Sequence, residues 1–147
     1  IIMEATKYKT NSGQPIANMQ DAFDRVCERL ITHFDYGKCV TKFGYCSYRN
    51  TEGNSCAIGY LLPDDMAIKA SGTVYGLLYP GSDIGKHLIP NFKFIASYAN
   101  TTALEQWTKF YRDLQRVHDI MYNCGIDTMK NELKYIALDH GLVFKYD

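Results

Sequence analysis

The chain has 147 residues, of which 46% are hydrophobic and 22% are charged, with 16 basic and 16 acidic side chains. The length favours a single domain over residues 1–147, and the composition is too apolar for intrinsic disorder. Residues 1–73 carry 8 basic and 8 acidic side chains, and so do residues 74–147. A nucleic-acid or anionic-membrane binder needs a basic excess, so this balance argues against both classes, although it permits a homo-oligomer.

The first periodic pattern predicts a helix that begins after Asn18 and ends near Gly37. Asn18 is a suitable N-cap, and Gly37 is a suitable C-terminal stop. Charged residues such as Arg25 and Arg29 fall on one face of this helix. The apolar residues on the other face recur at helical spacing, and they are Met19, Ala22, Phe23, Val26, Cys27, Leu30, Ile31 and Phe34. Residues 1–17 are polar and turn-rich, which predicts an extended arm or an edge strand.

Residues 39–61 have the composition of an antiparallel hairpin. The segment contains five residues that favour strands, which are Val40, Thr41, Phe43, Tyr45 and Tyr48. Residues 50–54 form a cluster of turn-forming side chains. After this turn, the sequence predicts either a return strand or a short helix capped by Ser55. A further helix start follows at Pro63, and that helix should end before Gly72.

The second half of the chain predicts two long helices after an irregular middle. Glycine and proline interrupt residues 73–100, whose short apolar runs predict either strands or single helical turns. Helical spacing then recurs from about residue 102 to Gly125 and again from about residue 127 to His140. Together these patterns predict an α+β fold in which three main amphipathic helices pack on a small antiparallel sheet or hairpin.

Cysteine and tyrosine are the residue types that bear most on cellular location and function. There are five cysteines and no C-x-x-C pair, which predicts free thiols in a reducing compartment. The first residues lack the apolar segment of a signal peptide, so we expect a cytoplasmic location. Twelve tyrosines and seven phenylalanines favour a binding face, although a core with phenol groups at its margin is the simpler explanation.

The familiar motifs for phosphate and metal binding are incomplete. Residues 81–87 resemble a Walker A loop but are one residue short, and they end in histidine where serine or threonine is required. Cys39, Cys46 and Cys56 lack the paired spacing of a zinc site. We therefore expect no metal and no cofactor. A site assembled from distant residues, such as Cys46, Cys56 and His118, stays open as an alternative.

A thiol nucleophile is the one catalytic hypothesis that the sequence leaves. If Ser55 caps a short helix, Cys56 lies in its first turn, where the helix dipole favours a thiolate. His118 would then be the general base of a cysteine-dependent hydrolase or transferase. Asp119 is poorly placed to orient His118, because adjacent residues on a helix point about 100° apart. A buried core role is the simpler explanation for His118.

The predicted hairpin also supplies candidate binding residues. Pairing of its two strands would bring Cys46 close to Cys56 and make Arg49 project at the loop. Tyr48 and Arg49 belong to the residue types that dominate protein interfaces. We therefore predict a binding surface that includes Cys46, Tyr48, Arg49 and Gly53. The simpler explanation is a hairpin whose small residues face the core.

Short motifs in this region resemble those of small phage and prophage proteins. The motifs are Cys46-x-Tyr48-Arg49, Gly53-x-x-Cys56-Ala57-Ile58-Gly59, Pro63-Asp64, Leu114-Gln115-x-x-His118-Asp119 and His140-Gly141-Leu142. The resemblance covers about half of the chain and implies no particular activity. It implies a phage context in a bacterial cytosol and a non-enzymatic accessory role. Accessory proteins of this kind bind a host protein, a defence component or a small nucleotide messenger.

Overall fold

The structure is a computed structural model that describes residues 14–78, 82–97 and 101–147, and 61% of it is helical. The seven α-helices in these ranges are α1 (Met19–Cys27), α2 (Asp64–Lys69), α3 (Val74–Leu77), α4 (Asp83–Leu88), α5 (Phe92–Ser97), α6 (Thr101–Arg116) and α7 (Ile126–Asp139). Shorter 3-10 turns lie at Phe34–Tyr36, Gly59–Leu61 and Tyr122–Cys124. None of these helices has the length and apolar character needed to cross a bilayer.

The predicted α+β fold is wrong, because the described residues contain no β-strand and no sheet. The segment expected to form a hairpin makes only two isolated bridges, Val40 with Cys46 and Arg49 with Ser55. The turn between the latter two residues does form, and the Asn50 side-chain oxygen accepts hydrogen bonds from the Asn54 and Glu52 amides. A few backbone hydrogen bonds cross the segment, such as that from the Cys56 amide to the Tyr48 carbonyl, but they do not extend into a ladder, so the segment forms a folded loop.

The first helix forms where the pattern predicts it. The Asn18 side chain accepts a hydrogen bond from the Asp21 amide, which makes Asn18 the N-cap. α1 continues into a π-helical turn, Glu28–Thr32, and the chain leaves at Gly37, whose φ is 77°. The wide π turn changes which residues face inward. Arg29, expected on the polar face, is 0% exposed.

The two C-terminal helices are also confirmed, and they flank a second π turn. α6 continues as Val117–Met121, and this segment ends before Gly125, where φ is 96°. α7 then runs to Asp139 and stops before Gly141. After α7, residues 142–144 form no strand. Instead, the Gln20 side chain makes two hydrogen bonds of 2.9 Å with the backbone of Val143.

The irregular middle of the chain folds into short helices. α3 and α5 lie on apolar runs for which the sequence allowed helical turns, whereas α4, in the Walker-like segment, was not predicted. Residues 79–81 and 98–100 lie outside the described part. Most of the predicted arm, residues 1–13, also lies outside it. Ile16 is buried, and its amide donates a hydrogen bond of 2.9 Å to the carbonyl of His87.

The helices enclose one hydrophobic core, and the loop of residues 37–62 passes through it. Core side chains with no exposed surface include Phe23, Leu30, Leu61, Phe110, Leu114 and Leu133. The loop packs so closely that a Cβ atom on Gly59 would lie 2.8 Å from the carbonyl carbon of Tyr48. Position 59 therefore has no room for a side chain. This packing fixes the loop against α6, where the candidate site lies.

Candidate functional site

A buried arginine holds the loop against α1. Arg29 donates to the backbone oxygens of Ser55 and Gly37, both at 2.7 Å, and to that of His33 at 3.2 Å. It also reaches the side-chain oxygen of Asn54 at 3.2 Å. A charged group without solvent needs such a full set of acceptors. Arg29 therefore acts as a structural cation that fixes the loop.

Arg49 and Gly53 do not project from the turn. Arg49 donates to the Ser55 hydroxyl at 2.7 Å and to the Asp64 carboxylate at 2.5 Å, and its side chain is only 1% exposed. Gly53 is buried with a φ of 80° and closes the turn through a hydrogen bond to Asn50. Both predicted binding residues thus take internal positions, because the loop folds inward.

Cys46 and Tyr48 line a groove at the protein surface. Cys46 is exposed, whereas Tyr48 is 8% exposed and donates its hydroxyl to the carbonyl of Gly72 at 2.9 Å. Burial raises the pKa of the Tyr48 phenol, so this group stays protonated. Both residues line a groove of about 290 Å³ that Asp119 also borders. The structure therefore places two of the four predicted binding residues at a surface.

His118 is a fully buried residue whose two ring nitrogens are both occupied. The Cys39 amide donates to Nε2 at 2.9 Å, so the proton of the neutral ring is on Nδ1. Nδ1 then donates to the Asp119 carboxylate at 2.8 Å. Burial lowers the pKa of His118, and the Asp119 carboxylate only partly opposes this effect. The expectation that Asp119 cannot orient His118 was wrong, since the helix widens into a π turn there.

The surroundings of the proposed nucleophile Cys56 favour the neutral thiol over the thiolate. It precedes the 3-10 turn that begins at Gly59, and Ser55 pairs with Arg49 instead of capping a helix. Burial raises the pKa of the Cys56 thiol to about 12, although the Gly59 amide donates to its sulfur at 3.3 Å. With both nitrogens of His118 engaged elsewhere, the geometry does not support a Cys56–His118 pair.

The structure brings Cys46, rather than Cys56, next to His118 and Asp119. One ligand atom from each of these three residues lies within 4.8 Å of the others. A metal would have to bind Nδ1 of His118, which would leave a proton on Nε2 facing the amide of Cys39. Two donors would then face each other in a buried site, which is costly. These residues therefore fit a structural hydrogen-bond network better than a metal site.

A longer groove follows α6 on the side that faces α3. Its central part has a volume of about 570 Å³ and shares Thr73, Val74, Gln115 and Asp119 with the smaller groove at Cys46. At the other end, Tyr75 and Arg112 also border a third depression of about 270 Å³ that begins at Leu104. From residue 104 to residue 120, the helical rise gives this surface a length of roughly 24 Å.

The longer groove, called the α6 groove below, is lined by two exposed arginines. Arg112 and Arg116 are exposed, lie one helical turn apart and form no ion pair with any residue in the described ranges. Asp113, which lies between them in sequence, is instead paired with Lys109 at 2.8 Å. The sequence analysis did not single out these two residues, although arginines four residues apart on a predicted helix could have indicated this surface. Its position opposite α3 had no such signal.

Internal hydrogen bonds fix two polar residues of the α6 groove, Gln115 and Asp119. Gln115 donates from its amide nitrogen to Asp119 at 3.1 Å, and its oxygen accepts a hydrogen bond from the Ile58 amide at 3.2 Å. Asp119 thus receives hydrogen bonds from both Gln115 and His118, while its side chain remains 34% exposed. A site built on such fixed groups needs little reorganisation to bind a partner.

Comparisons of this chain with protein-family models, curated proteins and solved structures found no match. The resemblance to phage proteins therefore stays a prediction. The chemistry of the described residues is what supports a function.

Proposed function

We propose that this chain is a non-enzymatic accessory protein of a phage that binds a host or defence-system protein in the bacterial cytosol. The observation that carries the proposal is the exposed pair Arg112 and Arg116, which have no acidic partner in the described ranges. Guanidinium groups recognise carboxylates through paired hydrogen bonds. Two such groups on one groove favour a target segment that contains Asp or Glu.

The dimensions of the α6 groove favour a polypeptide over a compact ligand. Its length of roughly 24 Å corresponds to about seven residues of extended chain, at ~3.3 Å per residue. A small nucleotide messenger would fill only part of this length. We therefore take an extended acidic segment of a target protein as the occupant.

Apolar side chains in the groove offer contacts for the centre of such a segment. Tyr75 is 72% exposed and Ile120 is 57% exposed, and both border the part of the groove that contains the two arginines. Tyrosine and arginine are enriched among the residues that dominate binding energy. The favoured target segment thus combines acidic residues with at least one apolar residue.

A peptide array tests this function directly. The probes are 12-residue peptides with Glu or Asp placed around a central apolar residue, and matched peptides carry Lys in place of the acids. Selected peptides are then measured in solution against the full chain by fluorescence anisotropy. We expect acidic peptides to bind, and Arg112→Glu with Arg116→Glu to weaken them at least tenfold. The control is Lys69→Glu, a charge reversal of an exposed cation on α2, outside the groove.

Two outcomes would contradict the assignment of a protein target. One is binding that falls equally in the control variant, which would indicate non-specific charge attraction. The other is a thermal shift with cyclic nucleotides that the two arginine substitutions abolish, which would make a nucleotide messenger the ligand. A ligand at 100 times its Kd adds about 2.7 kcal/mol to the free energy of unfolding, so the shift is measurable.

A further inference from the structure

A second histidine cluster lies where the end of α7 meets α6. Asp113 comes from α6, while Asp139 and His140 come from the end of α7, and a ligand atom of each lies within 4.8 Å of the other two. The ammonium of Lys109 lies between the carboxylates, 2.8 Å from Asp113 and 3.0 Å from Asp139. The cluster therefore already attracts one cation.

His140 makes this cluster different from an ordinary surface ion pair. Its side chain is only 9% exposed, and its buried Nε2 atom has no hydrogen-bond partner. That atom faces the Asp139 carboxylate at 3.7 Å, while the ring packs edge-on against Phe110 with centroids 5.2 Å apart. Buried polar atoms are nearly always paired in folded proteins, so an unpaired ring nitrogen beside two carboxylates needs an explanation.

We propose that Asp113, Asp139 and His140 form a binding site for a divalent transition-metal ion. One imidazole nitrogen and two carboxylate oxygens are a donor set that suits Zn²⁺ and its neighbours, and water would complete the coordination. The inference goes beyond the proposed function and does not depend on it. Its effect would be to join the end of α7 to α6.

Lys109 competes with the metal in this site. Its ammonium and the metal need the same two carboxylates, and two cations cannot share them at close range. The Lys109 side chain is 58% exposed and has a flexible stem, so it can turn towards solvent when a metal binds. Removal of the ammonium should therefore strengthen metal binding. If the cluster is only a structural ion network, removal of the Lys109 ammonium should not strengthen metal binding.

The test measures Zn²⁺ binding to the full chain by isothermal titration calorimetry. Cys46→Ser and Cys124→Ser are present throughout, because both thiols are exposed and bind zinc themselves. We expect one Zn²⁺ per chain. His140→Gln and Asp139→Asn should each weaken binding at least tenfold, and Lys109→Met should tighten it severalfold. The matched control is Asp127→Asn, an exposed carboxylate in the first turn of α7, which should leave the affinity unchanged.

Three results would overturn the metal site. They are the lack of stoichiometric Zn²⁺ binding, an affinity that His140→Gln does not alter, and an affinity that Lys109→Met lowers. If the His140 variant fails to fold, absorption spectra of the Co²⁺-loaded parent chain decide instead. Four-coordinate Co²⁺ with nitrogen and oxygen ligands and no thiolate charge-transfer band would support the site, whereas octahedral Co²⁺ in water alone would contradict it.

Discussion

The two histidine–aspartate pairs of this protein look alike in sequence but differ in structure. In the first pair, both nitrogens of His118 have partners, the Cys39 amide and the Asp119 carboxylate. In the second pair, Nε2 of His140 is buried without a partner next to Asp139. The difference depends on a third group. A loop amide completes the first network, and no group in the described ranges completes the second.

This contrast separates a structural histidine from one that is available to a ligand. A satisfied network holds the loop in place, and adding a ligand would cost an existing hydrogen bond. An unsatisfied nitrogen gains a partner when a ligand binds. Two predictions test whether the two histidines differ in this way, and a third tests the Asp119 carboxylate that His118 contacts.

The largest effect is expected from substitution of His118. His118→Phe leaves the buried Cys39 amide without an acceptor and removes the donor to Asp119, so the free energy of unfolding should fall by about 3 kcal/mol. His140→Phe is the matched substitution, and it should change stability by less than about 0.5 kcal/mol, since it removes an unpaired nitrogen and keeps the contact with Phe110. Urea denaturation measures both, and equal losses would contradict the contrast.

A smaller effect is expected from pH. Burial lowers the pKa of His118 below 6.5, its ordinary value, so the unfolded chain binds this proton more readily than the folded one. The free energy of unfolding should therefore decrease as the pH falls from about 6.5 towards the lowered folded-state pKa. We expect the decrease between pH 7.5 and pH 5.5 to be about 1 kcal/mol smaller in His118→Phe. Denaturation curves at the two pH values measure this, and an unchanged decrease would assign it to other groups.

The smallest effect concerns the reactivity of Cys46. Burial raises the pKa of its thiol, and the Asp119 carboxylate raises it further. Asp119→Asn removes this negative charge and should speed alkylation of Cys46 by iodoacetamide about two- to fivefold. Cys124 is the internal control, since it is also exposed. Mass spectrometry should find both thiols labelled long before Cys56, and rapid labelling of Cys56 would revive the nucleophile hypothesis.

The helices could be predicted from sequence because their apolar residues repeat with the period of an α-helix. The same rule failed at Arg29 and at the His118–Asp119 pair, and both lie in π turns. A π turn has more residues per turn than an α-helix, so it changes which residues share a face, and nothing in the local composition signals it. The periodicity therefore misplaced Arg29 and did not give the contact between Asp119 and His118, although it did place His118 on the buried face.

The sheet prediction failed for a different reason. Strand-forming residues in the 39–61 segment favour an extended backbone, but extended backbone forms a sheet only when its amides and carbonyls find a neighbouring strand. Here side chains bind several carbonyls in and beside the segment. Arg29 donates to the carbonyls of Ser55 and Gly37, and Asn54 also donates to Gly37. The Cys39 thiol donates to the carbonyl of Asn54. Arg29 comes from a different element, and nothing in the composition of the segment indicates that this arginine binds it. Arg49 lies inward because it binds the Ser55 hydroxyl and the Asp64 carboxylate, and the second of these partners lies outside the segment.

The absence of a side chain at Gly59 also limits how the sequence of this chain can diverge. Any descendant that keeps this loop path must keep glycine at this position, because the carbonyl of Tyr48 occupies the place of a Cβ atom. Residues on the outer surface are free to diverge meanwhile. Distant homologues of this chain can thus be recognised by a spacing pattern around Gly59. The pattern has an aromatic residue eleven positions before the glycine, a cysteine three positions before it and a proline four positions after it.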